Sequence, residues 1–293
     1  MFFWLVFFVI IYLVHKLYIR RPMLELNKSS IVVITGACNG IGRQTAKFLA
    51  QRHQCKLIIL DIMSSKFKEV QAELEALGSS VVCFKCDLSS ENSMNDVLKD
   101  IRTNIGSSMI DVLINNAGIV IPKDFDQLTY ADHVKTMAVN YHAPVFFTIN
   151  LKDKLKGHVV TIASIAALLR GKKLTSYAAS KHAIYGFFNC MRTELAGAGK
   201  KDITCSTVCP YAIDTGFFTG FETRLNNIVP MLKEAEVGRI VADTVLNREE
   251  VVFIPFWMGF VVKLTSLLPD FYLDRLTSWL DTSTYAGNPG LKK

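Results

Sequence analysis

From Ile31 to Asp61 the chain runs through a continuous apolar stretch (IVVIT), a turn with three glycines, a helical stretch and a second apolar run (KLIILD). A strand that is apolar at every position is buried on both faces, which is the condition inside a parallel sheet. Parallel neighbours need a crossover connection, and a helix of this length supplies one. The alternation then continues. Helices are expected over Gly40–Gln51, Ser65–Leu77 (closed by Gly78), Ser90–Ile105, Tyr130–Asn150 and Ser176–Ala196. Strands are expected over Ile31–Thr35, Lys56–Asp61, Val81–Lys85, Val112–Asn115, His158–Ala163 and Ile203–Val208, with a seventh at Val251–Ile254. Strict βα alternation implies right-handed crossovers and an α/β fold of doubly wound parallel-sheet type, with its ligand beyond the carboxyl ends of the strands.

Length and composition fit one large ordered α/β domain, with two smaller domains left open by size alone. Half of the 293 residues are hydrophobic and 20% are charged, which excludes a disordered chain; 17 Gly and 8 Pro exclude a collagen-like one. The net charge of +7 could suggest nucleic acid, but the basic residues are scattered and form no stripe, so no nucleic-acid partner is expected.

The first βα turn reads Thr35-Gly36-Ala37-Cys38-Asn39-Gly40-Ile41-Gly42. Glycines permit a tight turn and a close backbone approach to a pyrophosphate, and the helix N-terminus behind them offers free N–H groups and a positive dipole end. Gly36, Asn39, Gly40, Ile41 and Gly42 are therefore candidate cofactor contacts. Asp61 closes the second strand, where a carboxylate can accept from both adenosine ribose hydroxyls and would repel a 2′-phosphate. With no Arg or Lys in the glycine turn, NAD is expected over NADP. Asp61 as a helix-capping acid is the plain alternative. Asp87, ending the third strand, is a candidate for the adenine edge, with a simple turn role nearly as plausible.

The first fourteen residues, MFFWLVFFVIIYLV, carry no charge, and Lys16, Arg20 and Arg21 follow them. A cleavable signal would place its charge before the apolar run and small residues at a cleavage site. Residues 1–21 are thus expected to be a retained membrane anchor, either a short span or a hook in one leaflet, with the following domain in the cytoplasm. The seven Cys are odd in number and have no scaffold spacing, consistent with reduced thiols. Cys83 and Cys86 form one CxxC. It reads either as half a zinc site or redox pair, or as two small apolar residues at a strand end. No second CxxC or His cluster completes a site, so no metal is expected.

Taken together, TGACNGIG (35–42), NNAG (115–118), Asn140, Ser164 and Tyr177-x-x-x-Lys181 resemble the short-chain dehydrogenase/reductase family. The resemblance covers about residues 30–254 and implies the Rossmann fold, a nicotinamide cofactor and hydride transfer. Tyr177 and Lys181, four apart on one helix, share a face. An ammonium beside a phenol favours the phenolate, so Lys181 is expected to lower the Tyr177 pKa and leave Tyr177 as the acid/base. The resemblance further implies that Lys181 holds the nicotinamide ribose, Ser164 orients the substrate oxygen and Asn140 holds a relay water. It also implies that Asn116, Ala117 and Gly118 pack beside the cofactor, and that Pro210 and Thr215 lie at its nicotinamide end. The family usually has glycine after this proline, whereas this chain has Tyr211. The stretch 151–156 is shorter than usual, so one helix end is expected to be trimmed.

The N-terminal anchor, the DTGFF segment and the apolar tail 251–269 resemble one membrane-bound branch, the retinol dehydrogenases and 17β-hydroxysteroid dehydrogenases of endoplasmic reticulum and lipid droplets. The expected organisation is an anchor (1–21), a Rossmann domain (28–255) and a C-terminal tail (256–293). The tail either covers the core or a subunit interface, leaving a homodimer open, or dips into the membrane as a lid. The expected function is NAD-dependent interconversion of a lipophilic alcohol, retinol- or steroid-like, and its carbonyl. The alternative is a nucleotide-binding scaffold on a membrane or lipid-droplet surface with little catalytic activity.

Overall fold

The computed structural model describes residues 22–199, 203–214, 219–222, 230–280 and 283–285. The expected anchor, Thr215 and most of the loop after it lie outside the described residues.

Seven parallel strands form the central sheet: β1 (Ile31–Thr35), β2 (Lys56–Asp61), β3 (Val81–Lys85), β4 (Ile110–Asn115), β5 (Leu155–Ile162), β6 (Thr204–Pro210) and β10 (Val251–Ile254). Their order is β10-β6-β5-β4-β1-β2-β3. The chain therefore builds outward from β1 to β3, returns across it to β4, and builds outward again. Where the order reverses, between β1 and β4, the connections leave in opposite directions and open a crevice above the strand ends.

The helices divide between the two faces. Helices α1 (Gly40–His53), α2 (Phe67–Glu75) and α7 (Glu234–Asn247) cover one face, packing Leu49, Val70 and Val241 against Val32 and Ile34. Helices α3 (Glu91–Ile105), α5 (Ala143–Asn150) and α6 (Thr175–Gly197) cover the other, packing Ile101, Phe147 and Phe188 against Val33 and Leu113. Every residue of β1 is buried, as its uninterrupted apolar run requires. Ser90 caps α3 by accepting from the Ser93 N–H at 3.3 Å.

Two local differences from the expected elements have physical causes. Strand β4 starts at Ile110, two residues early, because the polar Asp111 is tolerated inside it: its carboxylate accepts from the Ile31 N–H at 2.8 Å and pairs with Lys156 at 3.2 Å. The single helix expected over 130–150 is broken by a π turn, Ala138–His142, between α4 (Tyr130–Met137) and α5. Pro144 has no N–H to return to the carbonyl four residues back, so the regular ladder fails there. The trimmed helix end is present as a turn, residues 151–154, between α5 and β5.

The tail is more structured than its sequence suggests. Helices α8 (Met258–Thr265) and α9 (Asp270–Leu280) follow β10. Met258 and Val262 turn inward and are buried, while Phe260, Leu264, Leu267 and Phe271 remain exposed. Arg170 ties α9 to the segment after β5 through Asp270 and Asp274, each at 2.5 Å. Three short outer strands, β7 (Ile213–Asp214), β8 (Thr219–Glu222) and β9 (Leu232–Lys233), precede α7, and β11 (Ser283–Tyr285) ends the described chain. Strand β7 pairs with β9, and β8 with β11. Among the described residues no helix is long and apolar enough to cross a membrane.

Candidate active site

A crevice of about 540 Å³ lies over the carboxyl ends of the strands at the switch point. Its floor near β1 is the glycine turn. Gly36 (φ +68°) and Gly40 (φ +54°) hold backbone conformations that side-chain-bearing residues rarely adopt. A Cβ on Gly36 would stand 2.8 Å from the Ala117 Cα, so the turn and the end of β4 close on each other only because that atom is missing. Gly36, Asn39, Gly40 and Ile41 line the crevice. Gly42 does not: it sits behind the wall, where its own Cβ would lie 2.4 Å from the Asn116 amide nitrogen and 2.4 Å from the Gly36 carbonyl oxygen.

Asn116 locks this corner. Its Nδ2 donates to the carbonyls of Thr35 and Gly36, both at 2.9 Å, while Thr35 Oγ1 accepts from the backbone N–H groups of Asn116 and Ala117, both at 3.0 Å. Asn116, Ala117 and Gly118 line the crevice, but the Asn116 side chain works inward on the turn. Nothing in the sequence marks the Thr35 hydroxyl for this role, since Thr35 looks there like one more β-branched strand residue.

Asp61 lines the crevice and is 7% exposed. Its two oxygens accept from the Cys38 N–H and the Met63 N–H, each at 2.9 Å. The carboxylate braces the glycine turn and faces the crevice; it is not the capping acid of the neighbouring helices, whose N-caps are Asn39 and Met63. Asp87 also lines the crevice and accepts from the Ser89 N–H (2.9 Å) and hydroxyl (2.7 Å), which hold its carboxyl below the usual carboxylate range. Lys135 of α4 lines the same end and adds a smaller stabilising charge; nothing in its sequence context points to it.

At the opposite end Ser164, Tyr177, Lys181, Pro210 and Tyr211 converge. Ser164 stands just beyond β5 and its hydroxyl bonds both the Ala166 N–H (3.1 Å) and the Tyr177 phenol. Lys181, one helical turn after Tyr177, donates to the Ile162 carbonyl at 2.9 Å, and its Nζ lies 5.6 Å from the centre of the Tyr177 ring. The expected lowering of the phenol pKa does not occur with the protein groups alone. Burial pushes Tyr177 up to about 12, opposed by the Ser164 bond, and burial pushes Lys181 down to about 8. The spacing on the helix is as expected, but desolvation is the largest effect on both groups, and the charged form of Cys209 is the coulombic neighbour that bears on each.

Asn140 is 1% exposed and lies behind the crevice wall in the π turn. Its Oδ1 accepts from the Ile119 N–H (2.8 Å), and its Nδ2 donates to the Ile119 carbonyl (2.9 Å) and to Ser180 Oγ (3.0 Å). Ser180 Oγ in turn donates to the Tyr177 carbonyl at 2.7 Å. The side chain is thereby committed to protein partners, and Pro144 has no N–H to donate to the Asn140 main-chain carbonyl. Ser180, between Tyr177 and Lys181 in sequence and buried, carries no signal of its own there, being one serine within a helix. Cys83 is half-buried and Cys86 buried, and burial pushes both thiols up to about 11. Both are protonated at neutral pH.

Comparison with known proteins gives the family and the fold. Residues 30–226, more than half of the chain, match the family model described as short chain dehydrogenase. The chain is 32% identical to 17-beta-hydroxysteroid dehydrogenase 13 of Homo sapiens over 82% of this chain and 79% of that protein. It is 32% identical to estradiol 17-beta-dehydrogenase 11 of Rattus norvegicus over 88% of this chain and 87% of that protein. Among solved structures, a short-chain dehydrogenase/reductase from Burkholderia phymatum in complex with NAD superposes with a TM-score of 0.74 at 22% identity, covering 86% of this chain and 97% of that one. One from Burkholderia cenocepacia in complex with NADP gives 0.69 at 24%, covering 78% and 97%.

Proposed function

The chain belongs to the short-chain dehydrogenase/reductase family, in its 17β-hydroxysteroid dehydrogenase branch, and we propose that this NAD(P)-dependent alcohol oxidoreductase uses NAD to interconvert a lipophilic, retinol- or steroid-like alcohol and its carbonyl. The observation that carries the reading is the convergence of Ser164, Tyr177 and Lys181 at one end of a crevice whose other end is the glycine turn and Asp61.

When bound, the oxidised dinucleotide supplies a hydride acceptor and a positive charge. The residues present fit such a group. Gly36, Asn39, Gly40 and Ile41 present backbone at the N-terminus of α1 to a pyrophosphate. Asp61 would hold the adenosine ribose and disfavour a 2′-phosphate, and Asp87 would hold the adenine edge. Ala117, Gly118 and Pro210 border the nicotinamide side, with Thr215 assigned there by its place in the sequence. Lys181 holds the ribose and offers its charge to the phenol. Ser164 orients the substrate oxygen through the hydroxyl that already bonds Tyr177. Tyr177 takes the proton from that oxygen in oxidation and returns it in reduction. Asn140 and Gly42 act from behind the wall, Asn140 by fixing the Ile119 segment and offering its carbonyl to a relay water, Gly42 by letting α1 close on the turn.

The membrane part of the proposal rests on the sequence of residues 1–21 and on the exposed side of the tail, where Leu264, Leu267 and Phe271 are open to solvent. An anchor (1–21), a catalytic domain (28–255) and a tail (256–293) at an endoplasmic reticulum or lipid-droplet surface would deliver a substrate that is poorly soluble in water. Deleting residues 1–21 is expected to move the protein from the floating vesicle fraction to the bottom of the gradient in a flotation assay. A truncated protein that still floats with vesicles would reassign anchoring to the tail.

The function itself is tested with purified protein, both dinucleotides and a panel of retinoid, steroid and short water-soluble alcohols, following reduced cofactor by absorbance. The expected result is a higher kcat/KM for lipophilic alcohols and for NAD over NADP. Tight NAD binding with no turnover on any alcohol would favour the scaffold reading instead.

A further inference from the structure

The two apolar regions outside the sheet, residues 1–21 and the tail, join the domain at opposite ends of its strands. At the amino ends, the Leu24 N–H donates to the Leu246 carbonyl at 2.8 Å, and the Leu26 carbonyl lies 3.2 Å from His53 Nδ1. Leu246 and His53 stand in the last turns of α7 and α1, so the chain enters the domain between two helix C-termini, below the start of β10. Only Pro22 and Met23 separate residues 1–21 from the fixed Leu24, a reach of about 10 Å. At the carboxyl ends, α8 begins just after β10 closes. Its Met258 and Val262 pack against Ile165, Leu168 and Tyr211, which follow β5 and β6, and Arg170 holds α9 at the same level. The seven residues of β6 put about 20 Å between the two levels.

Both tail helices are two-faced. On α8, Phe260, Val261 and Leu264 are exposed and lie opposite the buried Met258 and Val262. On α9, Phe271, Tyr272, Arg275 and Trp279 are exposed and share a face by helical spacing, with the Arg275 guanidinium 4.3 Å from the centre of the Phe271 ring. Aromatic rings with a cation among them suit the head-group level of a phospholipid layer, rings toward the acyl chains and cation on phosphate. A domain standing upright on residues 1–21, strands along the membrane normal, would hold this apolar surface about 20 Å from the lipid, in water. Both points of attachment, however, adjoin the edge strand β10, one through α7 and the other through α8. We propose that the domain lies on its β10 edge against a phospholipid surface, held by residues 1–21 at one end and touching it with the outer faces of α8 and α9 at the other. The strands then run along the membrane, and the crevice over their carboxyl ends opens beside the lipid. This pose rests on the membrane reading above. Tethering through residues 1–21 raises the local concentration of lipid at the tail, so a contact too weak to hold the protein by itself still forms.

The chain carries its own probes: Trp4 in the apolar N-terminal run, and Trp257 and Trp279 in the tail, where they are 36% and 55% exposed. Trp4→Phe in the full-length chain leaves the tail pair alone to report. This protein is reconstituted in phosphatidylcholine–phosphatidylserine vesicles whose acyl chains are brominated either close to the head group or close to the chain end. An interfacial helix buries its apolar face about 5–10 Å deep, so the shallow bromines should quench the tail emission and the deep ones should quench it less. Leu267→Asp combined with Phe271→Asp should abolish the quenching while the protein still floats through residues 1–21. The Trp4→Phe result decides the pose even where that double variant fails to fold. Floating protein whose tail tryptophans are equally bright in plain and brominated vesicles would overturn the pose and leave the anchor standing. Protein that does not float at all would overturn the membrane reading and the pose together. Quenching is read without turnover, so neither result depends on the alcohol oxidised. A dimer in detergent that the two Asp substitutions split, with no quenching in vesicles, would also overturn the pose and give the face to a second copy of this chain.

Discussion

Replacing Tyr177 by phenylalanine is expected to lower kcat for alcohol oxidation by about a thousandfold, within the span that a positioned acid/base contributes, while leaving the fold intact. The ring is 5% exposed and remains packed in the variant. What is lost is one buried hydroxyl and its bond with Ser164, a change of about 0.5–1.5 kcal/mol in stability. The pH profile carries a second signature. Burial pushes the phenol up to about 12, so its ionised form, the one that accepts a proton, becomes more populated as pH rises toward that value. Oxidation by wild type should therefore accelerate with rising pH, and reduction, which needs the protonated phenol, should not. The variant should lose the rise in oxidation and keep its affinity for the dinucleotide. Steady-state rates from pH 6 to pH 10, with calorimetric binding of NAD, measure both. A variant that retains a tenth of wild-type kcat with the same pH slope would remove Tyr177 from the proton transfer.

Local patterns made much of this crevice readable. An apolar run with no polar interruption marks a strand buried on both faces, and β1, β2, β3 and β10 begin and end where their runs do. The glycine turn and Asp61 are readable for the same reason: a strand, a turn and a helix N-terminus follow each other directly in the chain, so their chemistry is local. The harder features depend on pairs far apart in sequence. Asp111 looks too polar for a strand until the Ile31 N–H is placed beside it. Asn140 looks like a free amide until Ile119 and Ser180 take up its hydrogen-bonding groups. The phenol of Tyr177 looks acidified by Lys181 when only helical spacing is known, and the opposite sign emerges once both groups are buried by residues from β5, β6 and α6. The tail reads as one apolar stretch because hydrophobicity alone does not distinguish Met258 and Val262, which turn inward, from Leu264 and Leu267, which do not.

The contrast between two helical glycines separates steric closure of the cofactor turn from ordinary helix propensity. Alanine exceeds glycine in a helix interior by about 1 kcal/mol, so either glycine replaced by alanine gains that amount if the added methyl finds room. Gly186, exposed on α6, has nothing within 4 Å of its Cβ position, and Gly186→Ala should raise the melting temperature by a few degrees. Gly42 on α1 is the opposite case. Its methyl would meet the Gly36 carbonyl oxygen and the Asn116 amide, each at 2.4 Å, and the first of these is backbone that cannot rotate away. Relief requires α1 to move off the turn, which costs about 1–3 kcal/mol as overpacking and breaks the bonds from Asn116 to the Thr35 and Gly36 carbonyls. The same displacement carries the N–H groups at the start of α1 away from the position where a pyrophosphate would be held. Gly42→Ala should thus lower the melting temperature and weaken NAD binding by roughly tenfold or more, about 1.4 kcal/mol, even though Gly42 itself does not line the crevice. Scanning calorimetry with and without NAD reads both effects. If the two alanine variants melt alike and bind NAD alike, the closure of α1 on the turn is looser than the Asn116 lock implies, and the dinucleotide must be held chiefly by Asp61 and the far end of the crevice.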